Sequence, residues 1–186
     1  MNRDANPLLR DQLSAIIQRY SPCYHIYGRR VCDWDTVHEL LPQIQLFSTK
    51  PQHKCNMYET LWNLVLIAVN EQNLEQLRRL YDVISKRAPD TRYLVRIFEK
   101  RHSDGGKTVI HFALQGKVEI IQFLIEKCCP SGYEFLKVVD ISGYTPLREA
   151  ICYCKYLAIE YLLIVTPRCA LPYFHKPPVA SNLQGF

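Results

Sequence analysis

Cys23, His25, Cys32 and His38 are the residues whose types and spacing most directly suggest chemistry. They run Cys-x-His-x6-Cys-x5-His. Thiolate sulfur and neutral imidazole nitrogen are the usual ligands of zinc, and His53 and Cys55 follow close behind. The spacing matches no common zinc finger. Ordinary thiols and a surface histidine explain the cluster more simply, and zinc is the sharper alternative. Asp104–Thr108, "DGGKT", resembles the end of a phosphate-binding loop. That loop needs a glycine five residues before the Gly-Lys pair, and position 101 is Arg. A turn opening the next helix is the better reading. The chain has eight cysteines and six histidines, but no segment shows a nucleophile turn with an ordered base. No enzyme activity and no cofactor are expected.

The background against which these residues stand is that of a folded helical protein. About half of the 186 residues are apolar and the net charge is +5, a composition that argues against disorder. The first twenty residues carry no apolar core before a small-residue cleavage site, so no secretory signal is expected. The apolar runs "LWNLVLIAV" and "YLAIEYLLIV" are too short to span a bilayer. An intracellular location, cytoplasmic or nuclear, follows. There, Cys23, Cys32, Cys55, Cys128, Cys129, Cys152, Cys154 and Cys169 are expected as free thiols.

Basic residues thicken between Lys86 and Lys107, with Arg87, Arg92, Arg96, Lys100 and Arg101 between them. Asp90, Glu99 and Asp104 dilute the run. A solvated helix face is one reading, and a patch for nucleic acid or for an acidic partner is the other. One continuous basic face would favour the second; scattered charges would oppose it.

The elements that position these groups are helices. Residues 7–19 place Leu8, Leu9, Leu13, Ile16 and Ile17 at helical spacing. "DTVHELLPQIQLF" reads as a helix with Thr36 and Glu39 in a capping box, disturbed at Pro42. "STKPQHKCN" reads as a loop. Helices are expected over 58–70, 74–85 and 91–101, then in two pairs within 102–127 and 144–165. Pro167 and the Pro-containing segment to Phe186 end the pattern, and this tail either packs across the last pair or stays loose.

The last two pairs repeat one another. Thr108, Ile110 and Ala113 match Thr145, Leu147 and Ala150 at a spacing of 37. After a one-residue slip, Lys117, Ile121, Phe123 and Leu124 match Lys155, Ile159, Tyr161 and Leu162. A period in this range implies a solenoid, whose units bury their apolar faces only by stacking.

"GYTPLREAI" (143–151), with "GKTVIHFAL" (106–114) and "GKVEIIQFLI" (116–125), resembles the ankyrin repeat family. Asn63–Tyr81 fits more weakly, through Ala68, Asn73, Glu75, Leu77 and Leu80. In this pattern glycine opens the turn, Thr caps the first helix, Pro pre-sets its first turn and Ala lets the two helices approach. The chain departs from the pattern at Val109, where the family has Pro, and at Arg148, where it has His. A Thr–His contact is therefore expected only at Thr108–His111. Cys154 stands where the family joins its helices with Gly. The units exceed the usual length of about 33 residues, so "CCPSGYEFLKVVDIS" is expected to hold a longer finger.

The resemblance implies an all-α fold: a short ankyrin-like helical solenoid (58–166), a divergent helical N-terminal cap (1–57) and a tail (167–186). It also implies a non-enzymatic module that binds another intracellular protein through turn tips and first helices. In this chain those are Ser103, Asp104, Lys107, Ser142, Tyr144 and Arg148, joined by Tyr133, Glu134 and Lys137 of the finger. The degenerate repeats are similar in style to ankyrin proteins of large DNA viruses and intracellular bacteria. Such proteins often act on host signalling, including the NF-κB pathway. The alternatives are a nucleic-acid-associated basic helical protein and a zinc-binding regulatory protein.

Overall fold

A computed structural model describes residues 5–19, 32–44, 54–103, 105–129 and 131–166. Its centre is set by an apolar run with no polar stripe. Leu61, Trp62, Leu64, Val65, Leu66, Ile67, Ala68 and Val69 are all buried. A helix that is apolar around its circumference must be covered on every side, and α3 (Lys54–Asn70) is. It packs against α1 (Ala5–Arg19), α4 (Leu74–Arg87), α5 (Thr91–Phe98) and α6 (Val109–Ala113). The helix begins at Lys54, so the end of the loop expected over 48–56 is its first turn.

Of the helices before α3, α1 packs on it and α2 packs on α1. α1 buries Leu13 and Ile17, and α2 (Trp34–Leu40) buries Trp34, Val37 and Leu40. The expected capping box at Thr36 and Glu39 is replaced by a cap one turn earlier. Asp33 is the N-cap, and its carboxylate accepts from the Thr36 N–H at 3.2 Å and the Thr36 hydroxyl at 2.7 Å. Glu71 ties this region to the solenoid, because its carboxylate accepts from the Cys32 N–H at 2.6 Å and the Trp34 indole N–H at 2.7 Å. Pro42 sits in a 3-10 turn, Leu41–Gln43. The open carbonyls of that turn are met by Arg87, whose guanidinium donates to Leu41 at 2.8 Å, Pro42 at 2.5 Å and Ile44 at 3.1 Å.

The amphipathic helix α4 turns Leu77, Leu80 and Ile84 inward. Asn73 caps it by accepting from the Gln76 N–H at 3.2 Å, and Glu75 in the first turn and Lys86 and Arg87 in the last suit its dipole. α5 ends at Phe98, three residues short of the expected end, because Glu99 leaves the helical conformation.

Two further pairs follow: α6 with α7 (Val118–Phe123), then α8 (Pro146–Cys152) with α9 (Tyr156–Val165). First helices stack on first helices, α3 on α6 and α6 on α8, while α7 packs on α9. This is the nearest-neighbour contact pattern of a solenoid. The finger expected after Cys128 is a folded connection. α7 runs into a π-helical turn, Leu124–Cys128, and a 3-10 helix, Gly132–Lys137, turns Phe135 and Leu136 into the core. Among the described residues every regular element is helical, and no helix is long and apolar enough to cross a membrane.

Each pair turns through a short joint. Gln72 and Cys154, at equivalent places, adopt positive φ of 56° and 53°. That conformation costs a non-glycine residue about 1 kcal/mol. The joint that does carry glycine, at Gly116, is not in this conformation. Gln72 offsets its cost with two hydrogen bonds: its amide donates to the Val69 carbonyl at 2.7 Å and accepts from the Lys117 N–H at 2.6 Å.

Candidate partner-binding face

The turn before α8 is built from the inside out. Asp140 is buried and acts as its template. Its Oδ1 accepts from the Ser142 N–H at 2.8 Å and the Tyr144 N–H at 2.9 Å, an Asx-type closure that suits Asp ahead of Gly. Gly143 carries the positive φ, 76°, that this turn requires. The Tyr144 carbonyl accepts from the Asp140 N–H at 3.0 Å.

The preceding unit holds that same carbonyl. The Thr108 N–H points at His111 Nδ1 at 3.1 Å, so Nδ1 must accept. The ring proton therefore lies on Nε2, which donates to the Tyr144 carbonyl at 3.1 Å. The Thr108 hydroxyl completes the capping box at 2.8 Å from Nδ1. The expected Thr108–His111 contact is present. Burial keeps the His111 pKa below its usual value, against the pull of Tyr144, Glu149 and Asp140 and with the help of Lys107.

Both backbone polar groups of Tyr144 are thus fixed, which sets the place of its side chain. Arg148, at the family's His position, lies with its guanidinium carbon 4.4 Å from the Tyr144 ring centroid. That is within cation–π range. The Arg148 N–H donates to Thr145 Oγ1 at 3.2 Å, which caps α8. Both residues are half-buried. Aromatic and Arg side chains that are already ordered lose little freedom on binding.

The neighbouring turn, 102–107, is joined to this one. The Ile141 N–H donates to the Gly105 carbonyl at 3.0 Å, and Arg101 donates to the Gly106 carbonyl at 3.1 Å and to the Val139 carbonyl. Lys107 reaches under the turn to Glu149, with Nζ 2.5 Å from Oε1. The Glu149 side chain is 1% exposed, and its Oε2 has no hydrogen-bond partner.

The expected contact residues therefore divide. Ser103, Ser142, Tyr144 and Arg148 lie on joined turns and the helix they open, with Ser103 and Ser142 exposed. Lys107 belongs to the same region, but its ammonium is engaged by Glu149. Asp104 lies outside the described residues. Tyr133, Glu134 and Lys137 are exposed on the 3-10 helix, where Lys137 and Glu134 pair at 2.8 Å. That helix is pinned by Ser131, whose N–H and hydroxyl both donate to Glu99. Asp140 and Glu149, which organise the face, were not singled out from the sequence. Asp140 could have been found as an acid three residues before a turn glycine. Glu149 carries no comparable signal.

The basic segment does not form a continuous free stripe. Arg87 is bonded to the carbonyls of residues 41, 42 and 44. Arg92 pairs with Asp90 at 2.7 Å, Arg96 lies over the Tyr58 ring at 5.5 Å and Lys100 pairs with Glu59. Arg101 and Lys107 are engaged as described. These internal contacts oppose the nucleic-acid reading.

Of the possible zinc ligands, Cys23, His25 and His53 lie outside the described residues. Cys32 is buried, and burial together with Glu71 and Asp33 pushes its thiol up to about 12, away from the thiolate that zinc needs. His38 is hydrogen-bonded to Gln76 and stacks on Trp34. Among the described residues no group of three or more His, Cys, Asp or Glu is placed to hold a metal ion.

Comparison with protein families matches residues 65–169 to ankyrin repeats (3 copies). The match includes the weak first unit. Comparison with curated proteins and with solved structures brings no match.

Proposed function

Since this chain belongs to the ankyrin-repeat family, we propose that it is a non-enzymatic module that binds another protein through the turn carrying Tyr144 and Arg148. Ankyrin repeats are in general protein–protein interaction modules. The observation that carries the reading for this face is the Tyr144–Arg148 stack at 4.4 Å. It stands on a backbone held by Asp140 on one side and His111 on the other. Ser103 and Ser142 extend the face, and Tyr133, Glu134 and Lys137 form a second contact region on the 3-10 helix. The partner is an intracellular protein of the cytoplasm or nucleus, and host signalling proteins of the NF-κB kind are the first to test.

The test is capture from a whole-cell lysate with proteins identified by mass. Wild type is compared with a Tyr144→Ala/Arg148→Ala variant whose fold is checked by circular dichroism. A protein retained by wild type and lost by the variant supports the face. Equal capture by both refutes it. Recovery of nuclease-sensitive material alone would favour the basic segment, 86–107, as the site.

A further inference from the structure

The Tyr144–Arg148 contact leaves a positive charge unanswered. The ring face attracts the guanidinium but does not neutralise it. Among the described residues no carboxylate pairs with Arg148 and no oxygen accepts from its guanidinium; its hydrogen bond to Thr145 comes from the backbone N–H. Its side-chain nitrogens stay open to solvent. Other arginines are met within the fold, Arg79 by Glu75, Arg92 by Asp90, and Arg87 and Arg101 by backbone carbonyls. Arg148 therefore offers its N–H donors outward, in a fixed planar fork.

The surrounding charge does not answer it. Asp140 and Glu149 are buried and already committed, Asp140 to the N–H groups of Ser142 and Tyr144 and Glu149 to Lys107. Arg101 is exposed and donates to the carbonyls of Gly106 and Val139, which leaves its charge in place. Among the described residues, the accessible charge of the two joined turns is thus positive. Apolar groups flank the fork. Ile151 stands three residues after Arg148 on α8, on the same helix face, and is 44% exposed; Ile141, on the turn, is 78% exposed.

We infer that the partner segment recognised here carries an Asp or Glu side chain, held by the fork of Arg148, next to an apolar side chain seated on Ile151 and the Tyr144 ring. The inference rests on the reading of this face as the partner-binding one and adds what the partner brings to it. A carboxylate matches two parallel N–H donors of one guanidinium. Phosphorylated segments are held by clusters of arginines, whereas here a single fork is open in a region that already holds two buried carboxylates. Tyr144 orders the fork before the acid arrives, which reduces the freedom lost on binding.

The experiment selects a phage-displayed library of random peptides on the full chain. Enriched peptides are synthesised, and their affinities are measured for wild type, Tyr144→Ala/Arg148→Ala, Arg148→Gln and Arg148→Lys, each with its fold checked by far-ultraviolet dichroism. The expected peptides lose binding to the double variant and carry an Asp or Glu. Changing that residue to Asn or Gln should weaken binding to wild type by about 10-fold or more and leave binding to Arg148→Gln nearly unaltered. Arg148→Lys keeps the charge but not the fork, and should weaken the same peptides. Peptides that need Tyr144 and Arg148 yet tolerate the loss of every carboxylate would overturn this inference and leave the face standing; so would carboxylate peptides that bind Arg148→Lys as well as wild type. If no selected peptide depends on Tyr144 and Arg148, the reading of the face fails, and the inference fails with it.

Discussion

Replacing Lys107 with Met should destabilise the fold by about 3 kcal/mol, and most of that loss should return when Glu149 is neutralised in the same chain. The reasoning starts from the distance of 2.5 Å between Lys107 Nζ and Glu149 Oε1. At an effective dielectric of about 20, two unit charges at that separation attract by about 7 kcal/mol. Removing them from water costs several kcal/mol per ion, so the intact pair is close to balanced. Removing only the lysine leaves a carboxylate that is 1% exposed, with Oε2 already unpartnered. Loss of one member of a buried pair costs about 3–5 kcal/mol. The lower end applies here because the lysine side chain is 33% exposed, so solvent already screens the pair. Lys107→Met/Glu149→Gln removes both charges and should lie within about 1 kcal/mol of wild type. Urea unfolding of wild type, the two single variants and the double variant gives the cycle, provided the slopes agree. Equal destabilisation of Lys107→Met and the double variant would refute the reasoning, as would a Lys107→Met loss below about 1 kcal/mol.

Three further outcomes are expected. Stability should fall as pH drops below about 6.5, the ordinary imidazole value. Burial lowers the folded pKa of His111, so the unfolded chain binds the proton first and its population grows through the window between the two values. The drop in urea midpoint from pH 7 to pH 5 should shrink in His111→Gln. Gly116→Ala should destabilise by about 1–2 kcal/mol, since the new Cβ would meet the Gln72 side chain and displace its bonds to Lys117 and Val69. The same change in a Gln72→Ala background should cost much less, as read by a double-mutant cycle in thermal unfolding. Glu71→Ala should cost about 2–3 kcal/mol by urea unfolding, because the Cys32 N–H and Trp34 indole lose a charged acceptor.

The solenoid was legible in the chain because its determinants are local. Thr108, Gly143, Thr145 and Pro146 each act within one turn of their own position, as does His111 through Nδ1, although its Nε2 reaches the next unit at Tyr144. The apolar spacing of α4 likewise marks its inward face. Element ends were less legible. α5 stops at Phe98, where Glu99 leaves the helical conformation, and α3 starts at Lys54; periodicity reports neither end. The connection after Cys128 read as a finger because the units are longer than the usual repeat of about 33 residues. Phe135 and Leu136 instead bury themselves and draw it into the fold. In the candidate face, Tyr144 and Arg148 could be named from the repeat pattern, since they stand four residues apart across the start of α8. The pairing of Lys107 with Glu149 joins residues 42 apart. No pattern in either segment encodes it. The basic run read as a surface patch for the same reason: the partners of Arg87, Lys100 and Arg101 lie about 40 residues away in sequence.

The central claim is that the ordered Tyr144–Arg148 turn is where a protein partner binds. The most direct measurement is the affinity of the purified, captured partner for three forms of the chain: wild type, Tyr144→Ala/Arg148→Ala and Lys86→Ala. Loss of two anchors worth about 2 kcal/mol together is a change of about 30-fold. The account predicts at least that weakening for the double variant and an unchanged affinity for Lys86→Ala. An unchanged affinity for the double variant, with Lys86→Ala weakened, would contradict it.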